Sequence, residues 1–503
     1  MTDQTDFEHD SNSFLDWFTR QPGTAFHDSL EIVDFRDRDA GRGIIATADI
    51  PAETDLFTIP RSTIISAETS ELAKRLPELF REPTDVGSTQ EDDGDEALDS
   101  LPTELPASWL NLILILLYES FHHSTSKWLP YLRILPSTPS QFDTLMFWAD
   151  AELGELQAST IPSKIGKHSA DTMFKERIIP IVKKHANVFY PPDATRLSDE
   201  DLLQNCHIIG SLIMSYAFDL QPDEDEDPED ENQDGWIEDQ SKPSTMGMVP
   251  MADMLNADAE FNAHLSHGDD ALTMTSLREI KAGEEVLNYY GPLPNGELLR
   301  RYGYTSSKHT RYDVVEISWD LVKQVLEDNE KDEKMREKVR DLLLKVEEDE
   351  DIDVKEGFLI ERETEGPNDQ GICDMTASFT KFPDELVDVI TSVLSETLNN
   401  KVPSGKSGNA AGDKGLLKRH TLTTLREVVR RRLALYATSH EHDENALKNG
   451  SASGRLKHAI RVRVGEKMLL KEAADWSEQM LQKYSSKHGI ASDSQPSRKK
   501  QKR

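Results

Sequence analysis

Apolar and polar positions alternate with two different periods along this chain. Residues 43–60 hold two short β-prone runs, Gly43-Ile44-Ile45-Ala46-Thr47 and Leu56-Phe57-Thr58-Ile59, around the turn-like Pro51-Ala52-Glu53-Thr54. That order predicts a hairpin-like β unit. Between residues 70 and 215 the spacing becomes helical, with helices expected over 109–121, 142–156, 170–185 and 199–216. Strand signals return at 246–250, 271–276 and 285–290. Beyond residue 318 helical spacing dominates, over 321–346, 383–398, 421–436 and 455–484. The expected fold class is α+β, a β module split by a helical insertion and followed by a mostly helical C-terminal region. The expected divisions are 1–25 as an N-terminal helix or tail, 26–70 and 246–312 as the two parts of the β module, 71–245 as the insertion, 313–488 as the helical region and 489–503 as a disordered tail.

Charge sharpens this picture. The 503 residues carry a formal net charge of −36. Residues 410–503 alone hold 21 basic against 10 acidic residues. The negative charge is therefore concentrated upstream, in clusters at 91–96, 223–234 and 347–353, which lack the apolar residues that offset ordering entropy and are expected to be solvated loops. Residues 401–415, rich in Gly, Ser and Asn, are expected to form a flexible connection. An acidic surface disfavours nonspecific binding to nucleic acid or anionic membrane and favours a basic partner. The longest apolar run, 109–118, is about half the ~20 residues a membrane-spanning helix needs. The polar, acidic start has no apolar core, so neither a signal nor a transit peptide is expected there. Two cysteines, Cys206 and Cys373, support neither a disulfide framework nor a cysteine-rich zinc cluster. No His pairs with a Cys at zinc spacing, so no metal is expected.

Three segments carry candidate chemistry. Ala40-Gly41-Arg42-Gly43-Ile44 places two glycines before a strand, where backbone can approach a ligand closely; alone it also fits a tight turn. Pro250-Met251-Ala252-Asp253-Met254-Leu255-Asn256-Ala257-Asp258 runs an apolar strand into a polar end, which suits ligand hydrogen bonds or a simple Asx turn. Glu285-Val286-Leu287-Asn288-Tyr289-Tyr290-Gly291-Pro292 precedes Asn295, read as the cap of a short helix delivering Tyr302-Gly303-Tyr304. Paired tyrosines such as these also occur as plain core.

Taken together, the Gly-x-Gly strand, the later Asp-x-x-Asn element, the Tyr-Gly turn and the Tyr-Gly-Tyr resemble the SET-domain protein lysine methyltransferases. Within them the chain is most similar to the branch of Rubisco lysine methyltransferase, in the group of the fungal ribosomal lysine methyltransferase four and the animal SET-domain-containing protein 6 enzymes. The resemblance implies S-adenosylmethionine as methyl donor. It assigns Gly41, Arg42, Gly43, Tyr216, Asn256, Ala257 and Tyr302 to that donor, and Tyr290 to catalysis. Trp128, Ala217 and Asp219 fall on the substrate side. Ala257 stands where the family carries His; the fungal branch shares Asn-Ala-Asp, and the backbone contact survives the change. Many histone-directed relatives close the lysine channel with a cysteine-rich zinc segment. With two cysteines this chain would use its helical C-terminal region instead, as a substrate-binding domain.

The implied reaction fits these residue types. A lysine with reference pKa ~10.4 must lose its proton before attacking a methyl carbon in line, and an apolar aromatic channel disfavours the ammonium. Orientation of the two reactants contributes ~7–11 kcal/mol. The implied substrate is a basic protein, a zinc-ribbon protein of the large ribosomal subunit, with monomethylation; a histone or transcription factor is equally compatible with the charge. A non-catalytic peptide-binding module and an acidic chaperone acting through 223–234 are the competing readings. A monomer without direct nucleic-acid or membrane contact is expected. The basic Arg498-Lys499-Lys500-Gln501-Lys502-Arg503 suggests nuclear import, with a cytoplasmic pool compatible.

Overall fold

The computed structural model describes residues 2–38, 40–80, 107–221, 245–349, 354–355, 357–373, 375–401 and 410–488. The acidic runs at 91–96 and 223–234, most of 347–353 and of the 401–415 connection, and the basic tail lie outside the described residues. Among the described residues no helix is long and apolar enough to cross a membrane. The chain divides into two compact units. The first comprises Met1–Leu153, Ile161–His309 and Gly366–Asp374, the second Gly154–Thr160, Thr310–Glu365 and Met375–Arg503.

The first unit is a set of small antiparallel sheets with helices inserted between them. Its strands are β1 (Ala25–Phe26), β2 (Leu30–Asp34), β3 (Arg42–Ala46), β4 (Asp55–Pro60), β5 (Ala217–Asp219), β6 (Met246–Met248), β7 (Ala263–His267) and β8 (Ala271–Ser276). The largest sheet has the order β1-β4-β8-β7, and β2–β3 and β5–β6 form separate pairs. Along β8, Leu272, Met274 and Ser276 are buried while the residues between them are less so, the period of two expected for a strand with one covered face. The core gathers Phe14 and Phe18 of the N-terminal Thr2–Thr19 helix, Ile44, Ile59, Ile113, Leu117 and Met248.

The expected hairpin between the two β runs of 43–60 does not form. β3 pairs with β2, from Leu30↔Ala46 to Asp34↔Arg42, and β4 pairs with β1 and β8. The intervening segment is drawn away because Ile50 exchanges both backbone hydrogen bonds with Ile280, at 2.8 and 2.9 Å. The expected strand at 285–290 is extended but makes only isolated bridges, Ile45↔Glu285 and Ala257↔Asn288. Backbone bonds such as Val286 N to Ile44 O at 2.8 Å and Asn288 N to Asn256 O at 2.9 Å are interleaved with the Asn262 side chain, which accepts from Leu287 N at 2.8 Å and donates to Glu285 O at 2.8 Å. The expected 142–156 helix is broken into short turns, Leu145–Phe147, Asp150–Leu153 and Gly154–Leu156. Polar groups there bond locally: Trp148 Nε1 donates to Asp143 O at 2.8 Å and Ala149 N to Glu152 Oε2 at 2.7 Å.

The insertion supplies the Ala107–Phe121 helix, the short Leu129–Ile134 helix and the Asp199–Tyr216 helix. Ser198 caps the last of these, accepting from Asp201 N, and three acidic residues fill its first turn, where they oppose the positive end of the helix dipole. It ends at Tyr216, and the chain leaves directly into β5, paired to β6 through Ala217↔Met248.

The second unit pairs β9 (Val315–Ile317) with β10 (Phe358–Ile360) against helices Trp319–Asp328, Glu333–Glu347, Asp384–Lys401, Ala410–Ala434, His440–Lys448 and Gly454–His488. The single helix expected over 321–346 is two, because Asp332 accepts from Lys334 N and caps a new start. Val322, Leu386, Ile390, Val428 and Leu469 form its core. Asp443, Arg463 and Lys467 are buried together: Lys467 Nζ reaches Asp443 Oδ2 at 2.6 Å and Arg463 Nη2 reaches Oδ1 at 2.8 Å. Although burial raises the Asp443 pKa, these two cations hold it below the usual carboxylate range.

Candidate active site

Three segments far apart in sequence converge at the Gly-x-Gly strand. Asn256 donates its side-chain amide to Arg42 O at 3.2 Å and to Glu285 Oε1 at 2.7 Å. A Cβ on Gly43 would lie 2.7 Å from the Phe35 ring and 2.9 Å from that same Glu285 oxygen, so glycine is required for this approach. Gly41 differs: it has φ +65°, and an added Cβ would meet nothing within 4 Å. Burial raises the Glu285 carboxyl above its ordinary value, against the hydrogen bond from Asn256. The Arg42 side chain faces the N-terminal helix. Its Nε donates to Ser11 Oγ at 2.9 Å, its Nη1 to Ile134 O at 3.1 Å, and its guanidinium lies 3.9 Å from the Phe7 ring centroid.

The tyrosines meet one residue away from Asn256. Tyr290 donates its hydroxyl to Leu255 O at 3.0 Å, and its ring stacks on Tyr302 with centroids 4.4 Å apart. Tyr304 meets Tyr302 edge-on at 6.4 Å and donates to Ala257 O at 3.0 Å. The Asn295–Tyr302 helix carries Tyr302 as its last residue and ends at Gly303, φ +78°, with Tyr304 just beyond it. Asn295 is not its side-chain cap. Pro294 occupies that place, and Asn295 Oδ1 instead accepts from Ser306 N at 2.9 Å, tying the start of the helix to the chain beyond its end. Burial holds the Tyr290 phenol well above its ordinary pKa and pushes Tyr216 up to about 12. A phenol in this state keeps its proton, and Tyr290 spends that proton on a carbonyl. Its oxygen lone pairs alone are left for another group.

Several residues named from sequence lie together: Gly41, Arg42, Gly43, Asn256, Ala257, Tyr290 and Tyr302. Tyr216 is close enough to Asp253, Arg42 and Tyr290 to be coupled to them electrostatically. Trp128 is buried and spends its indole N–H on Thr63 O at 2.8 Å. Ala217 lies in the β5–β6 pair, and exposed Asp219 accepts from Gln221 N at 3.1 Å. Residues not singled out also enter: Glu285, Tyr304, Tyr131 and Asp253. Tyr131 donates to Asp253 Oδ2, and both side chains are buried. Burial pushes Asp253 up to about 7, with Tyr131 working against the rise. Glu285, Tyr304 and Asp253 stood inside quoted segments and Tyr131 stands three residues after Trp128, but only the three-dimensional meeting of these segments distinguishes them from their neighbours.

Comparison with known proteins bears directly on this constellation. Residues 41–291 match the SET domain model, and residues 392–470 match the Rubisco LSMT substrate-binding model. The chain belongs to the SET-domain family. Its SET domain is interrupted by the helical insertion, and its helical C-terminal region carries the second match. Ribosomal lysine N-methyltransferase 4 of Saccharomyces cerevisiae is 33% identical over 326 residues, 64% of this chain and 61% of that protein. The chain thus spans less than two thirds of the length of this relative. N-lysine methyltransferase SETD6 of Homo sapiens is 26% identical over 450 residues, 86% of this chain and 83% of that protein. A crystal structure of the SET domain of LSMT bound to lysine and AdoHcy superposes with a TM-score of 0.56, at 19% identity, covering 95% of this chain and 93% of that one. The fold is therefore the SET fold of LSMT.

Proposed function

We propose that this chain is an S-adenosylmethionine-dependent protein-lysine N-methyltransferase. The observation that carries the proposal is the meeting of Tyr290, Tyr302, Asn256 and the Gly-x-Gly strand at one place. The residues fit the donor. Open space beside Gly41 gives access to backbone, and the missing side chain of Gly43 lets Phe35 and Glu285 close against the same strand. Asn256 uses its amide N–H groups on Arg42 O and Glu285, so its carbonyl oxygen is turned to accept from an ammonium such as the donor carries. Gly41, Arg42, Gly43, Tyr216, Asn256, Ala257 and Tyr302 would hold the donor. When bound, S-adenosylmethionine supplies a methyl group on a sulfonium.

The chain's own residues do the rest. Tyr290 and Tyr302 form an aromatic wall that favours neutral lysine over the ammonium. The Tyr290 oxygen, its proton committed to Leu255 O, accepts a hydrogen bond from the lysine nitrogen and aims the lone pair. Ala217 and Asp219 stand on the substrate side of Tyr216, and Trp128 fixes the insertion that borders it.

The substrate is a basic protein, and a large-subunit ribosomal protein of zinc-ribbon type is favoured, with one methyl group added. Support comes from the yeast relative's name and from the strongly acidic charge of residues 1–409. The SETD6 relatives keep a non-ribosomal protein in view as the second substrate class. The basic tail supports a nuclear site of action; deleting residues 498–503 should shift a fluorescent fusion toward the cytoplasm. The deciding experiment offers tritiated S-adenosylmethionine and purified chain to ribosomal fractions from cells lacking the protein. Label on one lysine of one large-subunit protein is expected. Label absent from ribosomes but present on a nuclear protein would replace the ribosomal substrate. Absence of S-adenosylmethionine binding in calorimetry would remove the enzyme.

A further inference from the structure

The six-residue Leu129–Ile134 helix of the insertion is fastened to both halves of the SET domain. Its last carbonyl, Ile134 O, accepts from the Arg42 guanidinium of β3 at 3.1 Å. Its Tyr131 hydroxyl donates to Asp253, in the turn that precedes Asn256. On its other side the Tyr131 ring packs on Phe14 of the N-terminal helix, centroids 6.0 Å apart. Trp17 of that helix donates its indole N–H to Lys127 O at 2.9 Å. The helix is therefore tied to β3 and to the N-terminal helix as well as to Asp253.

Asp253 in turn fixes the local backbone. Its carboxyl accepts from Tyr131, while its own backbone N–H donates to Val249 O at 3.2 Å. Met251 has φ +83°, a conformation that non-glycine residues keep only where the surroundings enforce it. Two residues after Asp253 comes the Leu255 carbonyl that receives Tyr290; three residues after it comes Asn256. A buried carboxyl without the Tyr131 hydroxyl would lose the hydrogen bond that holds it, and such a group rearranges to find another.

We propose that Tyr131 is a positioning residue: bound to Asp253, it fixes the 251–256 turn so that the Leu255 carbonyl holds the Tyr290 hydroxyl in register. Tyr131 has this role only if the chain transfers methyl groups, as proposed above. It does not touch either reactant; it acts through Asp253 and Leu255 on Tyr290.

The test compares parent, Tyr131→Phe, Tyr290→Phe and the double variant as purified full chains. The probes are tritiated S-adenosylmethionine and large ribosomal subunits from cells lacking the protein. Rates are expressed per donor-binding site counted by calorimetry, so that loss of folded protein does not count as loss of turnover. Tyr131→Phe is expected to lower kcat tenfold or more, with the KM for the ribosomal acceptor within threefold of the parent. In the Tyr290→Phe background the same change is expected to cost less than twofold further, because the hydroxyl being positioned is gone. A merely structural role would cost the same factor in both backgrounds, and that result overturns the proposal, as does a kcat within twofold of the parent. Should Tyr131→Phe fail to fold, Asp253→Asn takes its place under the same criteria; failure of both to fold overturns the positioning role in favour of a folding one. A parent chain that binds no S-adenosylmethionine overturns the methyltransferase proposal itself; one that binds it but labels no ribosomal protein removes only the ribosomal substrate, and the same four chains are then compared on the nuclear protein it labels. An active parent with an indifferent Tyr131→Phe overturns only the role of Tyr131.

Discussion

The Tyr290 ring lies on the Tyr302 ring, 4.4 Å between centroids and 20° between planes, while the Tyr290 hydroxyl is held by Leu255 O at 3.0 Å. One contact orients the ring and the other orients the oxygen. Tyr290→Phe separates them, since it keeps the stacking and removes the hydroxyl. Turnover should fall by two or more orders of magnitude, in line with the loss of ~2.7–4 kcal/mol seen when a preorganised polar group is removed from a reacting centre. Donor affinity should change by less than threefold. Single-turnover methyl transfer and calorimetry measure the two quantities, and turnover equal to the parent would remove Tyr290 from the chemistry.

The two glycines of the Gly-x-Gly strand should respond oppositely to alanine. At Gly43 the new Cβ meets the Phe35 ring at 2.7 Å and the Glu285 carboxylate at 2.9 Å, so strand, ring and acid must separate. Because Asn256 is bonded to that carboxylate, Gly43→Ala should weaken donor binding by tenfold or more. Gly41→Ala has room but must hold φ +65°, which costs ~1–2 kcal/mol of stability. Its donor affinity should stay within threefold. Calorimetric titration beside thermal unfolding separates these outcomes; equal losses of affinity would mean that contact with Glu285 is not what distinguishes the sites.

Elements with a single strong period were legible in the sequence. The 199–216 helix was expected with its observed bounds, and the 271–276 strand likewise: the strand buries every second residue, and the helix starts at a Ser198 cap and runs into a fully buried stretch at 208–213. Legibility failed where a side chain replaced a backbone partner. Asn262 takes Leu287 N and Glu285 O, and the β-prone 285–290 run keeps only isolated bridges to Ile45 and Ala257. It failed again where pairing was non-local: nothing within 43–60 announces that β2 and β8 will compete successfully for the two β runs. The site followed the same rule. Gly41, Gly43, Asn256 and Tyr290 were legible through motif spacing. Tyr131 and Asp253 were not, because 122 positions separate them and neither residue type is unusual where it stands.

In the second unit, Asp443 is the shared anion of Arg463 and Lys467, and its side chain and that of Lys467 are fully buried. Removing it leaves Lys467 without its anion in a dry interior and Arg463 with Glu155 alone, at 3.3 Å. Asp443→Ala should therefore destabilise the chain by roughly 3–5 kcal/mol. Lys467→Met, which removes a charge but fills the space, should cost less, since Arg463 still pairs with the carboxylate. Chemical denaturation checks the order, and a larger loss for Lys467→Met would show that packing of the lysine stem outweighs the charge pairing.

Asp253 gives the fold a pH dependence of its own. Burial pushes its carboxyl up to about 7 in the folded chain, against ~3.9 for an unperturbed Asp. Between those values the folded state binds the proton and the unfolded state does not. Stability must then fall as pH rises through this window, and above it the cost is constant. The neighbouring groups do not titrate there: burial holds the Tyr131 and Tyr290 phenols well above their ordinary range and Tyr216 at about 12, and a guanidinium such as Arg42 stays charged. Asp253→Asn has no charge to bury, so its contribution is flat. The Tm of the variant minus that of the parent should therefore increase between pH 5 and pH 8. Thermal scans of both chains across that range test it. A difference that stays constant would mean that Asp253 is ionised throughout, and that the Tyr131 hydroxyl offsets its burial completely.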